Sequence, residues 1–245
     1  MANRARLAGL GAAPIDTLWL NPLAFPRNPY HHLVKHYQDG RLQVGHVNDP
    51  EQDARLALQV LADQIEAFSR LGQDAPDALL AYHHLTIRGE ASGGFDALFR
   101  FMRGAAPSEA AAHEAIRRLL DGRACNHRLG QTLGRLSAPR NGWPMAYVLS
   151  WISVAGGDSV MPPWVRLQLP QAGRIVRHLG DTNRGDPGCA WCVEKNNPNA
   201  ALERWFGFPS FRPQPVDEMG RPLQERIVAE AMAGKSVLGI LRTGT

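Results

Sequence analysis

The sequence predicts a mixed α and β protein, mostly helical in its first half, with a few strands and short helices after it. Apolar residues recur at helical spacing between residues 50 and 136. Runs rich in Val, Ile, Trp and Tyr follow Pro139, which is typical of strands. A chain of 245 residues with 44% hydrophobic residues can bury a core of its own, so these two observations describe a folded protein and exclude wholesale disorder.

The helices of the first half are predicted from capping residues and apolar periodicity. Residues 1–48 show no sustained period and are expected to be irregular. Asn48 and Asp49 then precede Pro50, a cap followed by a first-turn proline, and an apolar stripe continues until Gly72 ends it. Further helices are predicted over residues 77–88, 95–103, 108–121 and 128–136.

Three strands are predicted in the next part of the chain. They are a continuous apolar run at residues 145–154, an alternating segment at 164–169 and a third candidate at 174–179. A turn-rich loop at residues 180–188 follows them. We therefore expect a domain boundary in or just after this loop, with an N-terminal accessory domain over residues 1–193 and a second domain over residues 194–245.

Charge and hydropathy limit the class of protein. Lys and Arg number 27 against 23 Asp and Glu, a net charge of +4 that permits nucleic acid as a partner without requiring it. The amino terminus has no signal-peptide pattern, and the most apolar segment, residues 145–155, is about half as long as a membrane span of ~20 residues. We expect a soluble cytoplasmic protein with no membrane partner.

The cysteines indicate a metal site more than a disulfide framework, because there are only three of them. Cys189 and Cys192 form a C-x2-C pair, the half-site spacing of structural zinc. Cys125 and His127 would complete a Cys3His set, with His178 as an alternative ligand. The competing interpretation is a pair of reduced thiols that bind no metal.

The last fifty residues predict two helices and a strand. Asn197 and Pro198 begin a short helix, and residues 222–233 form a second helix that Gly234 ends. An apolar run at residues 236–241 is predicted as a buried strand.

This run leads into Thr243, Gly244 and Thr245. Gly239 and Gly244 have the spacing of the first two glycines in a phosphate-binding loop, G-x-x-x-x-G-K-[ST]. In such a loop, backbone N–H groups surround phosphates, while Lys and Ser/Thr contact the terminal phosphate and Mg²⁺. With Thr245 the chain stops where Gly, Lys and Ser/Thr would come.

Between the two helices lies the segment Phe206-Gly207-Phe208-Pro209-Ser210-Phe211-Arg212-Pro213. With the downstream Gln224, it resembles the amino-terminal edge of the RecQ-like group of superfamily 2 ATP-dependent DNA helicases. In that family an FGxxxFRP…Q motif precedes the phosphate loop and holds the adenine of ATP. The resemblance covers residues 206–245. The chain is more weakly similar to RecQ-like helicases encoded beside DNA-modification and phage-defence genes.

The resemblance implies a role for three side chains. An aromatic ring and a guanidinium can sandwich the faces of adenine, while an amide can donate to and accept from its polar edge. By resemblance these parts fall to Phe208, Arg212 and Gln224. Residues 214–223 exceed the family spacing and are expected to form an inserted loop, in which Gln214 competes for the amide role.

The resemblance also implies that residues 194–245 begin an α/β RecA-like helicase domain. Thr243, Gly244 and Thr245 would then belong to the ATP-binding loop, ATP and Mg²⁺ would be the cofactors, and DNA would be the partner. The full-length protein would couple ATP hydrolysis to DNA unwinding, whereas this chain, lacking the loop Lys, is expected to be inactive. The alternatives are a zinc-stabilised DNA-binding or adaptor module without ATPase activity and a different phosphate-loop ATPase.

Overall fold

The computed structural model describes residues 13–28, 50–88, 93–136, 141–154, 161–180 and 188–240. Of these residues, 71% are helical and 1% belong to strands. The helices are α1 (Thr17–Ala24), α2 (Pro50–Asp74), α3 (Pro76–Thr86), α4 (Gly93–Arg103), α5 (Glu109–Leu120), α6 (Asn126–Gly134), α7 (Gly142–Val154), α8 (Pro163–Gln168), α9 (Pro170–Gly180), α10 (Ala190–Lys195), α11 (Pro198–Phe206) and α12 (Leu223–Met232). None of these helices is long and apolar enough to cross a bilayer.

The chain divides into two compact units. Residues 1–121 and 131–176 form the first unit, and residues 122–130 and 177–245 form the second. The domain boundary predicted near residue 193, from the turn-rich loop that precedes it, stays a prediction.

The predicted mixed α and β fold class is wrong for the described residues. The segments predicted as strands at residues 145–154, 164–169 and 174–179 lie in helices α7, α8 and α9, and residues 235–240 have no regular structure. A strand needs a partner to satisfy its backbone groups. The described chain offers one isolated bridge, between Val216 and Pro222, so it contains neither a sheet nor a RecA-like α/β core.

The mistaken segments have identifiable causes. Residues 145–150 of α7 are all buried, and a helix buried on every side has the same continuous apolar run as a buried strand. Helices α8 and α9 each begin at a proline, Pro163 and Pro170, where the missing N–H has no cost. In α9 the buried Ala172 and Leu179 lie two helical turns apart on one face.

The helices predicted in the first half are confirmed. Helix α2 begins at Pro50, as the capping residues predict, and continues past Gly72. Ser108 caps α5 by accepting a hydrogen bond from the Ala111 N–H at 3.2 Å. The expectation of an irregular start is wrong for α1, where Asp16 accepts from the Leu18 N–H at 3.0 Å; residues 1–12 and 29–49 lie outside the described chain.

Helix α3 lies at the centre of the first unit and packs against α2, α4, α5 and α7. Its residues 81–86 are buried without interruption, so the helix is enclosed on every side. The polar Thr86 is satisfied within the helix, because its hydroxyl donates to the Tyr82 carbonyl at 2.8 Å. The first unit is thus built of helices that pack around α3.

Helix α1 is held by side chains from distant parts of the sequence. The Tyr147 hydroxyl donates to the Trp19 carbonyl at 2.9 Å, and the Ser150 hydroxyl donates to the Pro22 carbonyl at 2.7 Å. Both donors belong to α7. Pro22 removes one helical N–H from α1, so these bonds from the neighbouring helix do much to fix its position.

Aromatic rings complete the packing around α1. The Trp19 ring lies 5.0 Å from that of Trp143 and 6.1 Å from that of Trp164, measured between centroids. Phe95 meets Trp143 edge-on at 4.9 Å, and Tyr147 meets Trp164 edge-on at 5.8 Å. These are the favoured geometries of aromatic pairs, so helices α1, α4, α7 and α8 share one aromatic cluster.

Candidate functional site

Three thiols meet in the second unit. Cys125 directly precedes α6, Cys189 directly precedes α10, and Cys192 lies in the first turn of α10. Their sulfur atoms all lie within 4.8 Å of one another. Each residue is no more than 3% exposed, and none is in a disulfide.

Two of the three cysteines stand at the start of helices. The Cys125 carbonyl accepts from the Leu129 N–H at 2.9 Å, and the Cys189 carbonyl accepts from the Val193 N–H at 3.0 Å. Both cysteines therefore occupy the residue before a helix, where the following N–H groups have no partner within the helix. The fold thus leaves backbone donors beside the sulfur atoms.

Those donors act on Cys189. Burial raises the pKa of the Cys189 thiol, but hydrogen bonds from the backbone N–H groups of Asn126, Cys192 and Trp191 and from the Cys192 thiol lower it below its ordinary value. A lowered pKa increases the population of thiolate, which is the form that binds metals. The site is thus electrostatically suited to a cation.

The histidines predicted to complete the site lie outside this cluster. His127 is exposed in the first turn of α6, and its ring nitrogens are not among the atoms within 4.8 Å. His178 is half-buried near the end of α9, and its backbone carbonyl accepts from Arg128 at 3.3 Å. The structure therefore brings together three of the four predicted ligands, and the choice of the fourth stays a prediction.

The residues of the predicted adenine contact lie around the end of α11. Phe206 is 71% exposed and Phe208 is 62% exposed, so neither ring belongs to the core. The two rings flank Gly207, which ends α11 in the left-handed conformation at φ +74°. Phe211 is half-buried. The exposed rings offer faces on which a planar base could stack.

The two polar residues of the predicted contact lie on either side of a closed turn. Arg212 is exposed before the turn, and Gln224 is half-buried in the first turn of α12. Gln214, the competing amide, is exposed within the turn. Thr243, Gly244 and Thr245, the predicted phosphate-loop residues, lie outside the described residues.

Asp217 organises the turn at residues 214–222, predicted as an inserted loop. Its carboxylate accepts from the Met219 and Arg221 backbone N–H groups, both at 2.9 Å. The Leu223 N–H donates to the Pro215 carbonyl at 2.8 Å and closes the turn. The hydrogen bond from the Arg221 backbone lowers the pKa of Asp217, so the carboxylate stays ionised and the turn stays closed at neutral pH.

Polar contacts connect the helices of this region to each other. Arg204 of α11 forms an ion pair with Glu194 of α10 at 2.5 Å. Asn199 of α11 donates to the Glu225 carboxylate of α12 at 3.1 Å. The thiol cluster and Gln224 are thus at the two ends of one series of contacting helices, α10, α11 and α12.

A buried histidine of the first unit lacks the geometry of a catalytic base. The His83 Nε2 donates to the Asp96 carboxylate at 2.9 Å, and its Nδ1 accepts from Arg103 at 2.8 Å. Burial lowers the pKa of His83, and its ring stacks on Phe99 at 5.4 Å. With both nitrogens engaged and no exposed surface, the residue fixes α3 against α4.

Several arginines of the first unit are likewise engaged in ion pairs. Arg118 donates to both oxygens of Asp77 at 2.7 Å, a bidentate contact between α5 and α3. Arg117 pairs with Glu114 at 3.6 Å. These side chains are the solvated, ion-paired face of a helix.

Comparison of the chain with protein-family models, with curated proteins and with solved structures found no match.

Proposed function

We propose that the chain is part of a RecQ-like ATP-dependent DNA helicase, in which Phe208, Arg212 and Gln224 recognise the adenine of ATP. The observation that carries the proposal is the exposure of Phe208, a large aromatic side chain just after Gly207 ends α11, together with the exposure of Arg212 four residues later. A core aromatic would be buried; a stacking platform must be accessible.

The residue types fit a purine. A ring and a guanidinium bind the two faces of the base through stacking and cation–π attraction, without distinguishing adenine from guanine. An amide supplies that distinction, because it donates and accepts at the same time and adenine presents a donor beside an acceptor. The proposal rests on this set of side chains and its exposure, and not on an α/β fold, which the described residues lack.

The most direct test is saturation-transfer NMR on this chain, because it detects weak binding and needs no hydrolysis. With ATP as probe, we expect saturation of the adenine ring protons, and a smaller effect on the guanine of GTP. Phe208→Ala should weaken ATP binding about tenfold, since stacking on an aromatic is worth about 1–3 kcal/mol per base. Trp205→Ala is the matched control, a comparably exposed aromatic outside the motif.

Two amide variants separate the candidates for base recognition. Gln224→Ala should remove the preference for ATP over GTP, because losing one specific hydrogen bond costs about 1–3 kcal/mol. Gln214→Ala should leave the preference intact. Equal binding of ATP and GTP by the wild-type chain would exclude adenine recognition here, and a loss of preference only in Gln214→Ala would move the amide role to that residue.

A second candidate function is a zinc-stabilised DNA-binding or adaptor module without ATPase activity. It is favoured by the three buried thiols within 4.8 Å of one another. Such a module would bind DNA without responding to ATP, and replacing its cysteines would abolish the binding. Reduced thiols and a DNA substrate both suit the cytoplasm, where we place the protein under either function.

A further inference from the structure

The second unit has little apolar interior. Among its described residues, those that are buried are Ala124, Cys125, Leu129, Leu179, Cys189, Trp191 and Cys192. Helices α11 and α12 contribute none. Small units whose apolar core is insufficient are usually stabilised by disulfides, by a metal or by association. Here the small interior is itself made mostly of thiols and one tryptophan.

We propose that Cys125, Cys189 and Cys192 bind one Zn²⁺ ion as thiolates and that this ion stabilises the second unit in place of a larger apolar core. The proposal is independent of nucleotide recognition, because it rests on the thiols alone. It assigns to the cluster a structural role: the ion joins the segment before α6 to the segment that begins α10.

The distances fit tetrahedral zinc. Zn–S bonds of about 2.3 Å at tetrahedral angles place neighbouring sulfur atoms about 3.8 Å apart. The observed sulfur atoms lie within 4.8 Å of one another, so small side-chain adjustments bring all three to one ion. A disulfide would require a much shorter contact of about 2 Å and would leave the third buried thiol unused.

The surroundings of the sulfur atoms also fit a bound cation. Three thiolates on Zn²⁺ carry excess negative charge, and hydrogen bonds to metal-bound sulfur offset such charge. Cys125 and Cys189 directly precede α6 and α10, and the first N–H groups of a helix have no partner within it, so backbone donors are available near these residues. Zinc is favoured over an iron–sulfur cluster, because those clusters are normally held by four cysteines and the sequence contains three.

Zinc analysis of the purified chain, grown with zinc and freed of any tag, tests the proposal. We expect about one zinc per chain in the wild type and less than about 0.2 in Cys125→Ser and Cys192→Ser, because a thiolate ligand is lost. Ala124→Ser is the matched control. It adds a buried hydroxyl beside Cys125 but keeps every thiol, so it should retain zinc.

Wild-type chain provides a second measurement that does not depend on the variants folding. Removal of zinc by a chelator should lower the thermal stability of the second unit and make all three thiols reactive toward a thiol reagent. Adding Zn²⁺ should reverse both changes, and adding Co²⁺ should produce thiolate-to-metal charge-transfer absorption.

Three results would overturn the proposal. The first is a wild-type chain that neither contains zinc nor takes up Zn²⁺ or Co²⁺. The second is zinc that remains bound in both cysteine variants. The third is a Cys189–Cys192 disulfide found by mass spectrometry in protein purified without reductant, which would replace the metal site by a redox pair.

Discussion

The burial of His84 gives the first unit a dependence on pH that can be calculated. His84 is a residue of α3 and is 4% exposed. Burial lowers the pKa of His84 from 6.5 to about 4, helped by the nearby charge of Arg88. Its ring bonds to the Pro107 carbonyl, and the Nε2 atom has no hydrogen-bond partner in the described part of the chain.

The direction of the effect follows from the order of the two pKa values. The unfolded chain takes up a proton at His84 as pH falls below 6.5, whereas the folded ring stays neutral until about pH 4. Acidification therefore favours the unfolded state. The stabilising contribution of neutral His84 is complete above pH 6.5 and is lost as pH falls toward 4. The stability lost is about 2 kcal/mol at pH 5 and about 3 kcal/mol once the loss is complete.

His84→Asn tests this reasoning, because an asparagine keeps a donor for the Pro107 carbonyl but does not titrate. Urea unfolding should be measured at a series of pH values for both proteins. The variant should be less stable at pH 7, where the ring packing is lost, and its stability should fall less steeply between pH 6.5 and 4. A difference between the two proteins that stays constant over this range would refute the assignment, as would an NMR titration placing the His84 pKa at 6.5 or above.

Three further predictions concern packing, the metal and the closed turn. In thermal melts, Gly142→Ala should lower the stability of the first unit by about 1–3 kcal/mol, because the new Cβ would lie 2.1 Å from the Leu85 carbonyl oxygen. The control Gly173→Ala places its Cβ in open space on a helix and should raise the stability by about 0.5–1 kcal/mol. The sequence predicts His127 as the fourth ligand, although its ring lies outside the thiol cluster. On that prediction His127→Ala should weaken zinc binding at least about tenfold in competition with a chelating dye, because a metal ligand is lost; unchanged affinity would place the fourth ligand elsewhere. Asp217→Ala should speed amide hydrogen exchange at residues 219–223, and unchanged protection there would show that the carboxylate does not hold the turn.

Capping residues and apolar periodicity predicted the helices of the first half and the helix after Asn197. Asn197 was identifiable as the start of a helix, and its side chain accepts hydrogen bonds from the Asn199 and Ala200 N–H groups. The prolines at 163 and 170 carry the same kind of signal, a helix start, yet the alternating and branched residues after them favoured strands. Strand propensity was a poor guide there because no partner strand exists among the described residues.

The candidate sites differ in how much of them the sequence could reveal. The pair Cys189 and Cys192 is recognisable from its spacing, but the approach of Cys125 depends on tertiary packing that no local pattern encodes. The exposure of Phe208 could not be predicted, because clustered aromatic side chains are more often core. The low pKa of His84 was equally hidden, since its main cause is burial and the burial comes from packing against other helices.

The contacts that hold α1 have a consequence for the speed of folding. The hydrogen bonds from Tyr147 to Trp19 and from Ser150 to Pro22 each join residues 128 positions apart. The entropy of closing so long a loop must be lost before either bond forms, and an eight-residue helix has little stability alone. Helical bundles with local contacts fold quickly. In this chain the helices should form early, while the docking of α1 onto α7 should be a late and slower step.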